Sequence, residues 1–274
     1  MQNASPTRNR DIGSTEVVLA IETSSRVGSV AIAQGGTLLD CISFSAPLRH
    51  SAEILPAIGQ LLHGIGRGPD DISQVHLAIG PGSFTGLRIA VTIAKSMNLA
   101  NHTRIITIDA LDVIAANVND AAHPALFHEG SKETSDIQRI AALLDAKRGQ
   151  FFVAVYDRTA QPPASEADPG YRIPAPGGFW HKTLPDCLMT APALLDYLAD
   201  GPGPVGLLGD GLIYHRDSFT AENIRLLNPA LWSPRAAQVH LLGHQKASAG
   251  MFSDPLTLVP FYLRGPQVTL KTRA

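Results

Sequence analysis

The sequence predicts an α/β protein built as two lobes, each a mixed sheet flanked by helices. Three observations carry that expectation. Strand formers, a glycine turn and an unbroken apolar helix follow one another between residues 75 and 100. A strand, an acid, a small polar turn and a second strand occur twice, at Glu22 and again at Asp145. The 274 residues are 45% apolar, enough for one large domain or two lobes with a real core.

Residues 1–15 are polar, predict a disordered tail and lack the apolar stretch of a signal peptide. The first lobe is expected over 16–116. Val17-Val18-Leu19-Ala20-Ile21 reads as a buried strand, Glu22 to Arg26 as a polar turn, and Gly28 to Ala33 as a second strand. Gln34-Gly35-Gly36 reverses the chain into a third, Thr37 to Ser45. From about Ser51 a helix is expected, because Ile54, Leu55, Ile58, Leu61, Leu62 and Ile65 recur on one stripe. Pro56 is compatible with it near its start or with a kink, and Gly64, Gly66 and Gly68-Pro69 end it. His50 and His63 have no second ligand at metal spacing and read as surface or capping residues.

Val75-His76-Leu77-Ala78-Ile79 is the strand that enters the turn Gly80-Pro81-Gly82-Ser83-Phe84-Thr85-Gly86. Ser83 is placed to cap the following helix, and Gly80 and Gly82 permit a sharp turn. A helix start facing a crevice suits an anion such as a phosphate. A P-loop is excluded, since Leu87 and Arg88, not Lys and Ser/Thr, follow Gly86. The spacing G-x-G-x-x-x-G is one residue longer than the dinucleotide fingerprint. Asp109 nevertheless ends a second strand, Arg104 to Ile108, about 20 residues on, so an NAD(P)-binding oxidoreductase stays open. So does a plainer reading in which the glycines serve helix–sheet packing alone.

The helix over 83–100 has a narrow polar stripe of Thr85, Arg88, Thr92, Lys95 and Ser96. Gly86, Leu87, Ile89, Ala90, Val91, Ile93, Ala94 and Met97 cover an apolar arc of about 200°, about twice what one sheet requires. One stripe, either Ile89, Ile93 and Met97 or Leu87, Ala90, Val91 and Ala94, must pack on the sheet. The other, with the 51–65 helix, is expected to meet a partner.

The second lobe is expected over 117–274. Asn117 to Asp136 reads as a linker or surface insertion. Strands Ile140 to Leu144 and Gln150 to Tyr156 flank the turn Asp145-Ala146-Lys147-Arg148-Gly149. Two related lobes that each open with an acid-tipped hairpin facing a cleft are the plan of the actin-like ATPase and sugar-kinase fold. There the hairpins bracket nucleotide phosphates and an acid on the first helps place a metal. The alternative is that Glu22 and Asp145 are ordinary turn acids. Thr159 to Gly178, with five prolines and three glycines, predicts an irregular exposed loop. Thr190 to Leu198 reads as a short helix with Pro192 near its start. Val205 to Gly211 is a strand entering a glycine turn, resembling the place where actin-like proteins meet adenosine. Pro234 to Gly250 reads as a helix, Pro260 to Arg264 closes the ordered part, and the tail carries Lys271 and Arg273 without an acid.

The net charge of −2 gives no global signature of nucleic acid or an anionic membrane. No run could span a bilayer. Cys41 and Cys187 lack CxxC spacing and read as free thiols, so a cytoplasmic protein is expected.

Five blocks then resemble the bacterial TsaB family, the non-peptidase branch of the glycoprotease-like group. The most specific is Gly80 through Ile89. The others are Ile21-Glu22-Thr23-Ser24, His50 through Pro56, Leu144 through Gly149, and Pro260 through Arg264. The resemblance implies a two-lobed actin-like (ASKHA, ribonuclease H-like) fold without catalysis of its own. It implies pairing with a TsaD-type catalytic subunit, and with a TsaE-type ATPase, for threonylcarbamoyl transfer to the adenosine next to the anticodon of tRNA. An autonomous actin-like ATPase or kinase is the alternative. The implied partner interface is Ile54, Leu55, Ile58, Leu61, Leu62, Ile89, Ala90, Ile93, Ala94 and Met97, with a homodimer through the same helices as a further expectation. Nucleotide or anion contacts, if any, fall on Glu22, Thr23, Ser24, Gly80, Gly82, Ser83, Gly86, Arg88 and Asp145. ATP or ADP with Mg²⁺ is expected in the assembled complex alone. TsaD-type proteins hold a metal through His-x-x-x-His; the matching positions here are Ala110 and Ile114, so no metal is expected. Glu22 stands where the family commonly has Asp, and the insertions at 119–137 and 159–178 are longer than usual.

Overall fold

The computed structural model describes residues 16–45, 49–119, 137–161, 170–201 and 203–264. The expected tail 1–15, the basic tail with Lys271 and Arg273, and most of the insertion at 119–137 lie outside them. In the first half, β1 (Val17–Glu22), β2 (Ser29–Gln34), β3 (Thr37–Ser43), β4 (Ile72–Gly80) and β5 (Arg104–Asp109) form one sheet in the order β3-β2-β1-β4-β5. Its outer layer is α1 (His50–Gly64) and α2 (Phe84–Asn101). β1 runs antiparallel to β2 and parallel to β4. All six of its residues are buried, which is why it reads as an unbroken apolar run rather than an alternating one. Val17, Leu19 and Ile21 join the core under α1 and α2, while Ala20, with Ala31 and Ala78, faces the opposite way.

The second half contributes α3 (Ala110–Ala115), β6 (Arg139–Asp145), β7 (Gln150–Thr159), β8 (Ile173–Ala175), β9 (Gly178–Thr190), α4 (Ala191–Ala199), β10 (Val205–Leu208), β11 (Ile224–Leu226) and α5 (Ala236–Ser248). Its sheet has the order β11-β10-β6-β7-β9-β8. In both halves the first strand of an acid-tipped hairpin also pairs in parallel with a later strand: β1 with β4, and β6 with β10. The turn after β4 leads into α2, and the turn after β10 leads to Gly209-Asp210-Gly211. The two turns therefore take matching places. α5 comes from the segment expected in the second lobe but lies on β1, β2, β4 and β5 of the first sheet.

Two elements depart from the expectation. β9 was not legible as a strand because Pro185 interrupts it. Pro185 sits where the pairing with β7 slips its register, a place that needs no ladder N–H. In the segment 159–178, expected to be an exposed loop, Tyr171, Ile173 and Ala175 are buried and β8 pairs with β9; residues 162–169 lie outside the described set.

All of α3 is buried between the sheets, Ala110 and Ile114 included. Its Asp112 accepts hydrogen bonds from the Tyr156 and Tyr171 hydroxyls and pairs with Lys182 at 2.7 Å. Lys182 also meets Asp186 at 2.7 Å and Asp109 at 3.5 Å, so one ammonium ties the end of β5 and α3 to β9. Burial would lower its pKa, but the three carboxylates outweigh burial and raise it. Cys41 and Cys187 are free thiols. Among the described residues no helix is long and apolar enough to cross a membrane.

Candidate functional site

β1 delivers Glu22 to the end of the first sheet, where Thr23 to Gly28 turn the chain into β2. Glu22 is fully buried, and its carboxyl group accepts from the Ser24 N–H (2.7 Å) and the Ser24 hydroxyl. Burial pushes Glu22 up to about 7; the two bonds from Ser24 oppose this and the charge of Asp210 adds to it. The N-terminus of α2 is locked onto this turn. Ser83 caps the helix through the Gly86 N–H, as expected, but its own N–H donates to the Ser24 carbonyl (2.6 Å). The Thr23 hydroxyl donates to the Gly86 carbonyl (2.8 Å). A Cβ at Gly86 would lie 1.9 Å from the Thr23 oxygen, and one at Gly82 would lie 2.2 Å from the Ser24 oxygen. These glycines serve close approach of helix to hairpin. At the helix start, expected to suit an anion, the Ser83 amide is taken by a backbone carbonyl.

The second hairpin is open where the first is closed. Lys147, Arg148 and Gly149 adopt left-handed backbone with φ of 66°, 59° and 69°. Asp145 accepts from the Lys147 N–H (2.7 Å) and pairs with its ammonium. Partial burial pushes Asp145 up, but the bonds and charge of Lys147 prevail and hold it below the usual carboxylate range.

Between the hairpins lies a cleft of about 750 Å³, lined among others by Ser24, Arg26, Ser83, Asp145, Lys147 and Arg148. Of the expected contacts, Ser24, Gly82, Ser83 and Asp145 line it. Glu22, Thr23 and Gly86 are buried behind it, Gly80 packs under the C-terminal strap, and Arg88 lies over the Phe84 ring at 4.5 Å. Three groups outside the expected contacts, though within the 205–211 turn and the 260–264 block that the sequence offered, complete the site. Asp210, buried, accepts from the Arg26 and Asp145 N–H groups at 3.3 Å each. Tyr262 stacks on Phe84 with ring centroids 4.9 Å apart. Arg264 donates to the Ala146 carbonyl (2.7 Å), while the Phe261 N–H donates to the Ile79 carbonyl (2.9 Å), so residues 261–264 strap one half to the other. The signal for Asp210 was its flanking glycines: Gly209 has φ 125°, and a Cβ there would lie 2.0 Å from the Leu143 oxygen.

The second candidate surface is the outer face of α1 and α2. Ile54, Ile58, Leu61, Leu62, Ala90 and Ala94 are between 0% and 4% exposed, so the chain's own core takes six of the ten residues expected at an interface. The sheet-facing stripe of α2 is Leu87, Ala90, Val91 and Ala94, because small side chains let the helix sit close to β4. Ile89, Ile93 and Met97 are half-buried at its flank, Leu55 on α1 is 61% exposed, and Leu99 is 85% exposed. His63 is exposed as expected. His50 is not: it is buried edge-on to Phe44, with Nε2 donating to the Ser25 carbonyl (3.1 Å), and burial lowers its pKa.

A family model described as TsaD, tRNA N6-adenosine threonylcarbamoyltransferase, matches residues 45–164. The tRNA threonylcarbamoyladenosine biosynthesis protein TsaB of Bacillus subtilis (strain 168) is 27% identical over 250 residues, 90% of this chain and 93% of that one. The protein of the same name from Escherichia coli (strain K12) is 30% identical over 141 residues, covering 52% of this chain and 55% of the other. Among solved structures, YeaZ from Pseudomonas aeruginosa superposes with a TM-score of 0.67 at 18% identity, over 91% of this chain and all of that one. At that identity the likeness speaks to the fold alone, the two mixed sheets with their flanking helices.

Proposed function

We propose that this chain is a TsaB-family protein and that it acts in the synthesis of threonylcarbamoyladenosine in tRNA as a non-catalytic subunit. Its partner is a TsaD-type catalytic subunit, docked on the outer face of α1 and α2; a TsaE-type ATPase and tRNA join through the complex. One observation carries the reading. α2 keeps Ile89, Ile93 and Met97 half out of the core, beside an exposed Leu55, after its other apolar stripe has filled the sheet contact. A face of that kind is stabilised by being covered.

The non-catalytic role rests on the cleft. Glu22 is turned inward onto Ser24, Asp145 is engaged by Lys147 and Asp210 by backbone N–H groups, an arrangement that supports a structural use of these carboxylates. ATP or ADP with Mg²⁺ accordingly belongs to the assembled complex. The net charge of −2 supports tRNA contact through the complex rather than by this chain alone.

The test uses two neighbouring residues of α2. Ala94→Glu buries an unpaired carboxylate and is expected to cost about 3 kcal/mol or more of stability. Ile93→Glu is expected to melt within a few degrees of wild type and to weaken binding to the TsaD-type subunit by about tenfold or more. Wild-type affinity in a folded Ile93→Glu chain defeats the interface reading.

A further inference from the structure

We propose that Asp210 is a built-in anion: its carboxylate occupies an oxyanion site between the two hairpins, latches the two halves together, and must leave before a phosphate-bearing ligand can enter. This goes beyond the subunit role and does not depend on it.

The two oxygens of Asp210 are divided between the lobes. Oδ2 accepts from the Arg26 N–H of the first hairpin, and Oδ1 accepts from the Asp145 N–H of the second, each at 3.3 Å. Backbone N–H groups converging from turns make an anion-binding concavity, and here a side chain of the same molecule fills it. The position is built rather than incidental. Asp210 is 4% exposed, and the turn that carries it needs Gly209 at φ 125°, where any Cβ would strike the Leu143 carbonyl. The space around it suits a larger anion than one carboxylate. Arg26, Lys147, Arg148 and Arg264 line the cleft, whose volume of about 750 Å³ is that of a small-molecule site.

The charges facing Asp210 make the latch conditional. Glu22 and Arg26 approach from the first hairpin, Asp145 and Lys147 from the second, and His215 lies on the same loop as Asp210 and acts on Asp145. Burial raises Asp210 to about 6, with the amide bonds from Asp145 and Arg26 opposing the rise. Protonation removes the charge that holds both amides, so the latch loosens in mild acid.

The experiment uses the full chain and its Asp210→Ala and Asp210→Asn variants, with Asp217→Asn as a control. Asp217 lies on the same loop with its side chain 99% exposed, so the control removes one charge without touching the latch. Amide hydrogen exchange, circular dichroism and calorimetric titration with inorganic pyrophosphate are measured at one pH. The Arg26 and Asp145 amides are expected to exchange about tenfold faster or more in the Asp210 variants, with pyrophosphate binding tightened by a similar factor and Asp217→Asn unchanged. Folded Asp210 variants with unchanged exchange at both amides, or with wild-type pyrophosphate affinity, overturn the proposal. So does equal tightening in Asp217→Asn. Should neither variant fold, the wild-type amide shifts of Arg26 and Asp145 decide. They are expected to titrate together, with a midpoint above the ordinary carboxylate range. Flat profiles overturn it.

Discussion

The two hairpin tips share a local recipe, a strand ending in an acid and a short polar turn, yet the acids live in opposite surroundings. Glu22 is fully buried and pushed up to about 7 by that burial. Asp145 sits at the cleft wall with Lys147 bonded to it and is held below its usual range despite partial burial. The difference is not in the hairpins but in what covers them. Gly82 and Gly86 let α2 close over the first tip, whereas nothing lies within 4 Å of a Cβ built on Gly149 in the second. A repeated motif thus becomes a sealed corner in one half and an exposed charged rim in the other. Any anionic ligand entering between them would meet the second hairpin's cations first.

That contrast can be broken most directly at Gly86. Alanine in a helix interior is normally worth up to about 1 kcal/mol over glycine, but here it would drive a methyl into the Thr23 carbonyl. Gly86→Ala is expected to cost about 3 kcal/mol or more in denaturant unfolding, while Gly59→Ala on α1, where a Cβ meets nothing within 4 Å, is expected to be neutral or stabilising. Equal behaviour of the two would mean that α2 does not close over the hairpin.

Next in size is the pH dependence of Glu22. Its folded pKa of about 7 exceeds the ordinary 4.5, so its favourable contribution is complete in acid and is lost as pH rises through about 7. The loss amounts to about 3 kcal/mol at most. Glu22→Gln removes this slope, so its stability relative to wild type should climb between about pH 5 and pH 8. A difference independent of pH would place Glu22 in solvent.

The second hairpin should respond weakly. Gly149→Ala is expected to cost about 1 kcal/mol, from its left-handed φ of 69° rather than from any clash. Asp145→Asn should be smaller still, because its partner Lys147 is 66% exposed, and is expected to cost under about 1 kcal/mol at neutral pH. The sign runs opposite to Glu22. Asp145 has a lowered pKa, so its contribution is present above the ordinary carboxylate range and disappears as pH falls through the lowered value.

Much of this architecture was legible in residue order. Strong strand runs, the Ser83 cap and the wide apolar arc of α2 are local signals, and each became the element it predicted. β9 was hidden because one proline in an alternating run argues against a strand unless a bulge absorbs it. Asp210 was hidden for a different reason. Its neighbours announced a tight turn, but its hydrogen-bond partners lie 65 and 184 residues away. His50 was misplaced because polarity favours the surface, whereas Phe44 and the Ser25 carbonyl give it a partnered place inside.

What the sequence determined by itself was therefore periodic and short-range: which segments are strands and helices, that two acid-tipped hairpins exist, and that α2 carries more apolar surface than one sheet can cover. Tertiary structure alone decided which stripe of α2 faces inward. Both stripes are apolar, and the choice turns on whether Ala90 and Ala94 or Ile89 and Ile93 fit against β4 at the distance the hairpin contact imposes. It also decided that the Ser83 amide of the glycine turn meets the Ser24 carbonyl, and that the Asp210 carboxylate reaches amides of both hairpins. Those outcomes depend on groups brought together across the whole chain, and neither spacing nor propensity encodes which of several compatible partners arrives.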